Sequence, residues 1–479
     1  MAIQWAGLGP ELLLRLNRDG GRPLRAQLET GLREAIRSGR LGGGERLPSS
    51  RQLADELGVS RGLVQECYGQ LLAEGYLTSR TGSATRVATG AFPAPQEPVR
   101  RPAPARLIAD FRPGVPDLAS FPRADWAWAM REACRGVATA DLDYGDPRGS
   151  AALRQVLASY LRRVRAAAAD QERIVVSTGF AQGLNLVLRA LAETGVQCVA
   201  FEDPGYTGAE ITEVLRGSGA VGLRGVPVPV DESGVDVAAL AASGAQVVVL
   251  TPAHQAPTGV VLTAQRRHAL VDWACGNDAF IVEDDYDSEF RYDREPVGVL
   301  QGLAPERVFM IGTASKAPAP AVRLGWVLAP AALTEAVAVH KEISDRGSST
   351  LDQLALAAML ESGRYDRHLR RMRTVYAGRR TVLIEALARH APGVRLTGLA
   401  AGFHAVAHLP PGATAGEQEL VAAARERSVG LTAMNDYRYA MDHVAAAPQL
   451  VMGFGNLTER AVKTGIATIT DLLQPRPFP

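Results

Sequence analysis

VFMIGTASKAPAPAVRLGWVLAP, residues 308–330, is the stretch on which the fold and the chemistry of this chain turn. A strand-like apolar run, 308–311, ends in the small polar group Gly312-Thr313-Ala314-Ser315. Lys316 follows, then a Pro/Ala bend, Arg323 and a second apolar run, 324–328. The chain has 52 basic residues, of which only Lys316, Lys341 and Lys463 are lysines. A lysine kept at a strand end, in a chain that uses arginine nearly everywhere else, points to amine chemistry. A desolvated lysine can lose its proton and attack a carbonyl, and arginine cannot. Thr313, Ser315 and Arg323 flank it with hydroxyl and guanidinium groups suited to a phosphate. The bland alternative is a lysine lying along the surface with only its head in water.

A second stretch weighs against that alternative. Residues 279–286 read AFIVEDDY, another buried-strand pattern that ends in acids. Asp284 at a strand end can pair with a ring nitrogen, and Tyr286 can reach a ring hydroxyl. Aldehyde, ring nitrogen, hydroxyl and phosphate together describe pyridoxal 5'-phosphate, whose usual protein partners are a Schiff-base lysine and an acid on the ring nitrogen.

The pieces EDDYDSEFRYD (283–293), TPAHQAPTG (251–259) and TASKAPAPAVRLG (313–325) resemble fold-type I aminotransferases, and specifically the aminotransferase-like half of MocR/GabR-type transcriptional regulators. The resemblance spans nearly the whole chain. It implies Lys316 as the Schiff-base residue and Asp284, Tyr286, Thr313, Ser315 and Arg323 as cofactor contacts. It implies a phosphate cup at 177–182, where Gly179, Phe180 and Ala181 offer backbone amides. Tyr206 matches the ring-stacking tyrosine. Tyr144 matches the tyrosine that reaches the neighbouring subunit's phosphate, which implies a homodimer. Several positions depart from the pattern. Ala256 stands where many aminotransferases have the asparagine that binds the ring hydroxyl, and His254 or Gln255 is the candidate substitute. Ala317 and Pro318 replace a usual Thr-Leu. Val451 stands where a substrate-carboxylate arginine is expected, and Gly208 where the GABA-responsive kind carries another. The chain therefore resembles the vitamin B6-responsive kind more closely.

Length and composition agree with such a protein. At 479 residues two to four domains are expected, and 47% hydrophobic with 22% charged residues supplies a sizeable core. The net charge of +1 neither demands nor excludes nucleic acid. Cys67, Cys134, Cys198 and Cys275 are dispersed with no CxxC, so neither a disulfide framework nor a zinc site is expected. No leader and no run of transmembrane length is seen, so the expectation is a soluble cytoplasmic protein with no membrane partner and no metal.

Residues 1–88 read as a separate basic unit, with twelve arginines against nine acids. Residues 24–36 carry apolar side chains at a helical period. Ser49 and Gln52 are placed as a capping box for a second helix, and Ser60 caps a third. Two helices across Gly58-Val59-Ser60 make a helix-turn-helix. Residues 75–87 read as a hairpin wing with Thr81-Gly82 at its tip. LPSSRQLADELGVSR (47–61) resembles the GntR-type winged helix, which implies DNA contacts at Arg51, Arg61, Gly62, Gln65 and Thr81. Protein docking by the same helices is the alternative. Residues 89–106 hold five prolines and read as a semi-rigid linker.

From 107 to 479 strand-like runs at 174–177, 198–201, 247–250, 280–283, 308–311 and 325–328 alternate with helical patterns such as 182–191 and 265–273. That alternation predicts a buried, mostly parallel sheet of the α/β transferase type. A smaller, helical, alanine-rich domain is expected from about Tyr365. The reading is a regulator: the winged helix binds operator DNA, and the second domain dimerises and senses pyridoxal phosphate or an amino compound that reacts with it. A working aminotransferase with an accessory DNA-binding domain is the alternative.

Overall fold

A computed structural model describes residues 14, 16–18, 21–79, 84–89, 107–220, 222–292, 298–410, 416–439 and 447–474. The chain divides into two compact units, Met1–Pro104 and Ala105–Pro479. The predicted linker, apart from Thr89, lies outside the described residues.

In the first unit, three helices, Leu24–Arg37, Ser50–Leu57 and Arg61–Ala73, close around Leu28, Leu32, Leu53, Val64, Cys67 and Leu71. Each of these leucines and Val64, fully buried, contributes about 1.5–3 kcal/mol. Ser49 Oγ accepts the Gln52 amide at 3.1 Å, and Ser60 Oγ accepts the Leu63 amide at 3.2 Å. The expected capping box at Ser49 is only half formed, because the Gln52 side chain donates forward to Glu56 at 3.0 Å instead. Gly58 ends the second helix at φ 61°, a left-handed conformation that suits glycine. The strands Leu77–Thr78 and Arg86–Val87 pair antiparallel behind the third helix and form the wing.

The second unit is built on an eight-stranded sheet. Its order is Ile174–Ser177, Gly325–Leu328, Val308–Thr313, Phe280–Asp285, Val247–Leu250, Cys198–Asp203, Arg224–Asp231, Gly234–Val235. The strands from Val308–Thr313 to Arg224–Asp231 are mutually parallel, and Gly325–Leu328 runs against both of its neighbours. Phe309 and Ile311 pack on one face with Val249 and Val282, while Val308 packs on the other with Val248 and Ile281. Both faces are dry, which is why these strands read as unbroken apolar runs rather than alternating ones.

The strand Arg224–Asp231 escapes the sequence pattern. Pro227 and Pro229 have no amide to donate, yet the pairing with Cys198–Asp203 runs unbroken past both. The strand tolerates them because on its other side Gly234–Val235 pairs only with Val230 and Asp231, where Pro229 need only accept, from the Asp236 amide at 2.9 Å. The C-terminal part is less helical than expected. Beside the long helix Arg364–His390 it holds an antiparallel sheet ordered Arg395–Thr397, His404–His408, Gln449–Gly453, Thr432–Ala433. Ala109–Asp110, at the start of the unit, pairs with Val429–Gly430, so the smaller domain draws on both ends of the unit. Among the described residues no helix is long and apolar enough to cross a membrane.

Candidate functional site

The parallel strands bring their carboxyl ends to one edge, where open α/β sheets place ligands. Lys316 lies three residues beyond the end of its strand. Its Nζ donates to the Gly114 carbonyl at 2.7 Å. Burial pushes its pKa below the ordinary lysine value, against the pull of Asp284 and Asp287. Asp284, on the neighbouring strand, is 8% exposed, and its Oδ1 has no hydrogen-bond partner. Burial drives its carboxyl well above the usual range; Lys316 opposes this and Asp285 adds to it. Both groups line one cavity of about 400 Å³, and their burial biases each towards its neutral form. A second recess of about 190 Å³ shares Phe180, Tyr206, Ala256 and Asp284 with it. There Glu202, pushed up to about 7 by burial, accepts the Thr251 amide and hydroxyl. A larger concavity, about 660 Å³, lies against Asp231, Arg395 and Arg438 and contains neither Lys316 nor Asp284.

Beside Lys316 the strand Ile174–Ser177 turns into the helix Phe180–Glu193 through Thr178 and Gly179. Gly179 has φ 122°, open to glycine and costly for other residues. A Cβ there would sit 3.5 Å from Arg323 Nη1 and 3.8 Å from Ser315 Oγ. The first bond within this helix runs from the Gly183 amide to the Gly179 carbonyl, leaving the amides of Phe180, Ala181 and Gln182 ahead of it. Thr313 Oγ1 donates to Ser315 Oγ at 2.8 Å. Exposed Arg323, at φ 54°, closes the rim. Helix-terminal amides, hydroxyls and a guanidinium on one spot make an anion cradle.

Tyr206 packs parallel to Phe180, with ring centroids 6.4 Å apart. Tyr286 lines the main cavity and donates its hydroxyl to the His254 carbonyl at 2.9 Å. The His254 side chain is 1% exposed, bonded to Asp287 at 2.8 Å, and is not part of the cavity wall. Gln255 is likewise committed, donating to the Pro204 and Ala256 carbonyls at 2.9 Å each. Neither side chain lines the cavity beside Ala256. The histidine that does line the cavity is His404, which the sequence reading did not single out. It is 4% exposed, its Nε2 has no partner, and burial together with His254 holds its pKa well below the usual value. Val451 lines the same wall. Gly208 donates its amide to the Tyr439 carbonyl, and a Cβ on it would meet that oxygen at 2.9 Å. Tyr144 is 70% exposed beneath Arg346 and takes no part in its own chain's cavity.

In the first unit Arg51, Arg61, Gly62 and Gln65 are all exposed at the starts of the second and third helices. A Cβ on Gly62 would meet nothing within 4 Å. Arg25 and Arg33 are held by Glu29, Glu66 and Glu74, whereas Arg51 and Arg61 form no ion pair among the described residues. Thr81 lies outside the described residues.

Residues 115–444 match the family of class I and II aminotransferases, and residues 24–87 match the gntR family of bacterial regulatory proteins. The chain is 34% identical over 470 residues to the HTH-type pyridoxine biosynthesis transcriptional regulator PdxR of Corynebacterium glutamicum, covering 96% of this chain and 98% of that one. It is 34% identical over 403 residues to the probable rhizopine catabolism regulatory protein MocR of Rhizobium meliloti, covering 79% and 80%. Among solved structures, the kynurenine aminotransferase of Pyrococcus horikoshii superposes with a TM-score of 0.68 at 23% identity, covering 77% and 91%. That likeness speaks to fold.

Proposed function

The chain belongs to the MocR/GabR-type transcriptional regulators, which join a gntR-family DNA-binding domain to an aminotransferase class I and II domain, and from that membership we propose that its second unit binds pyridoxal 5'-phosphate and reports the binding to the winged helix. It is a regulator rather than an enzyme. The observation that carries the cofactor reading is that a half-buried amine and an unpartnered buried carboxylate oxygen line one cavity.

When bound, the cofactor supplies an aldehyde for an amine to attack and a ring nitrogen that is basic. The residues fit each part. Lys316, its proton loosened by burial, is the nucleophile. Asp284 Oδ1 has room for one N–H donor and would keep the ring nitrogen protonated. Tyr206 offers a flat face. Ser315, Arg323, Thr313 and the amides of 180–182 hold the phosphate. Tyr286 and His404 are the polar groups on the side where Ala256 leaves the ring hydroxyl unserved. Exposed Tyr144 suits a role in a partner subunit's site, so the working unit is a homodimer in the cytoplasm, where the operator is.

The cofactor itself is the simplest signal for this pocket. Val451 gives the cavity wall no guanidinium, and the Tyr439 backbone fills the space a side chain at 208 would need. A bound amino-acid carboxylate lacks its bidentate partner at both positions. Operator affinity of the cofactor-free protein is expected to change on adding pyridoxal phosphate and to stay unchanged on adding amino acids to the loaded protein. A near-complete switch needs roughly 10⁴-fold difference in cofactor affinity between the two conformers. A response to an amino acid alone would overturn this choice of effector.

The winged helix would set the amino end of Arg61–Ala73 into a major groove, with Arg51 and Arg61 on bases or phosphates. Arg51→Ala or Arg61→Ala should each cost about 1–3 kcal/mol of operator affinity if it reads a base. If it holds phosphate, the salt slope should drop by about one instead. Binding that ignores both changes would move the reading surface elsewhere.

A further inference from the structure

Lys341 is a second functional lysine: we infer that it is the positioning residue that fixes the phosphate-holding turn 177–182. The inference rests on the cofactor reading of that turn. Only three lysines occur among 52 basic residues, and this one has a side chain with 0% exposure. It projects from the helix Thr334–Asp345. A buried ammonium is costly unless every proton finds an acceptor. Here three acceptors converge on it: Asp345 Oδ2 at 2.7 Å, Gln182 Oε1 at 3.0 Å and Ser348 Oγ at 3.0 Å. Three acceptors around one point suit a compact ammonium and not the flat fork of arginine.

Gln182 is the link to the site. Its Oε1 also accepts the Thr178 amide at 2.8 Å, and its Nε2 donates to Asp345 Oδ2 at 2.6 Å. Both ends of the Gln182 amide are therefore committed, and with them the backbone on either side of Gly179. Lys341 supplies the positive charge that holds Gln182 and Asp345 together. Without it, Asp345 loses its counter-charge and Gln182 one of its three partners, so the acceptor of the Thr178 amide is held less firmly. The amides of 180–182 then lose their common aim. No contact between Lys341 and the ligand is required.

A purely structural lysine would affect every ligand alike; a lysine that sets the phosphate turn affects only phosphorylated ones. The test compares pyridoxal phosphate with pyridoxal on the full-length protein. In Lys341→Met, pyridoxal phosphate affinity should fall about tenfold or more, the size of a lost charge-assisted contact. Pyridoxal affinity should not change, and the borohydride-fixed adduct should still map to Lys316. Inorganic phosphate should also lose its ability to compete. Gln182→Leu, which keeps the Lys341–Asp345 pair, should show the same selective loss and serves if Lys341→Met does not fold. Equal weakening of both compounds, or of neither, overturns the inference. Wild-type protein that takes up neither compound overturns the cofactor reading, and this inference with it.

Discussion

Lys316→Ala is expected to abolish the borohydride-fixable adduct between the protein and pyridoxal phosphate. Of the three lysines, Lys341 is tied by three hydrogen bonds, and Lys463 is exposed on the helix Glu459–Thr468. Only Lys316 combines a cavity position with a single, neutral acceptor, the Gly114 carbonyl. That bond is one of three an ammonium can make, so losing the proton there forfeits little. The pKa direction gives a pH signature. Burial lowers the Lys316 pKa from 10.5, so the reactive, uncharged amine is populated at lower pH than on an ordinary lysine. Adduct formation should rise with pH through that lowered value and level off before the range where surface lysines react. Peptide mapping after reduction is the check. An adduct that persists in Lys316→Ala and maps to Lys341 or Lys463 moves the site.

The parts of this site that lie close together in sequence were legible. The runs 308–316 and 280–286 each carry a strand and its functional residue within one short stretch, Asp284 on the strand itself and Lys316 three residues past its end, so period and strand end locate both groups. What required the fold were the partners brought in from afar. His404 is a lone histidine in AGFHAV, and nothing nearby marks it. It reaches the cavity because His404–His408 pairs with Gln449–Gly453, which carries Val451 to the same wall. His254 was the more visible histidine because it sits in a motif. Its side chain turns instead to Asp287, 33 residues on, a preference that local sequence does not encode. Lys341 is rare by composition, but its acceptors Gln182 and Ser348 lie on two separate segments, so the sequence alone assigns it no role. The Ser49–Gln52 capping box shows the same limit at short range. Glu56 lies one turn ahead on the same helix and takes the glutamine side chain.

Asp284→Ala is expected to separate function from stability. A buried carboxylate with an unpartnered oxygen is a liability in the cofactor-free protein. Its folded-state pKa is raised, so the native state holds a proton that the unfolded chain has already released above about pH 3.9. The cofactor-free protein therefore loses stability through this group as pH rises from that value to the raised one, and stays at the lower level above it. Alanine removes that loss, so the cofactor-free variant should be no less stable than wild type at neutral pH. Its stability should also fall less steeply across the same window. Binding should move the other way. The protonated ring nitrogen is the donor that Oδ1 lacks, and pairing restores the charged carboxylate. Losing it should weaken pyridoxal phosphate affinity by about one to two pKa units' worth of interaction, ~1.4–2.7 kcal/mol. It should also shift the absorption of the bound cofactor, since the ring nitrogen would no longer be held protonated. Lys316 remains in place, so an adduct still forms, which separates this variant from Lys316→Ala. Thermal melts of the cofactor-free protein across pH, beside absorption titrations, read both halves. A variant with wild-type affinity and spectrum would rule out the pairing, and one that unfolds without cofactor would make Asp284 a structural acid.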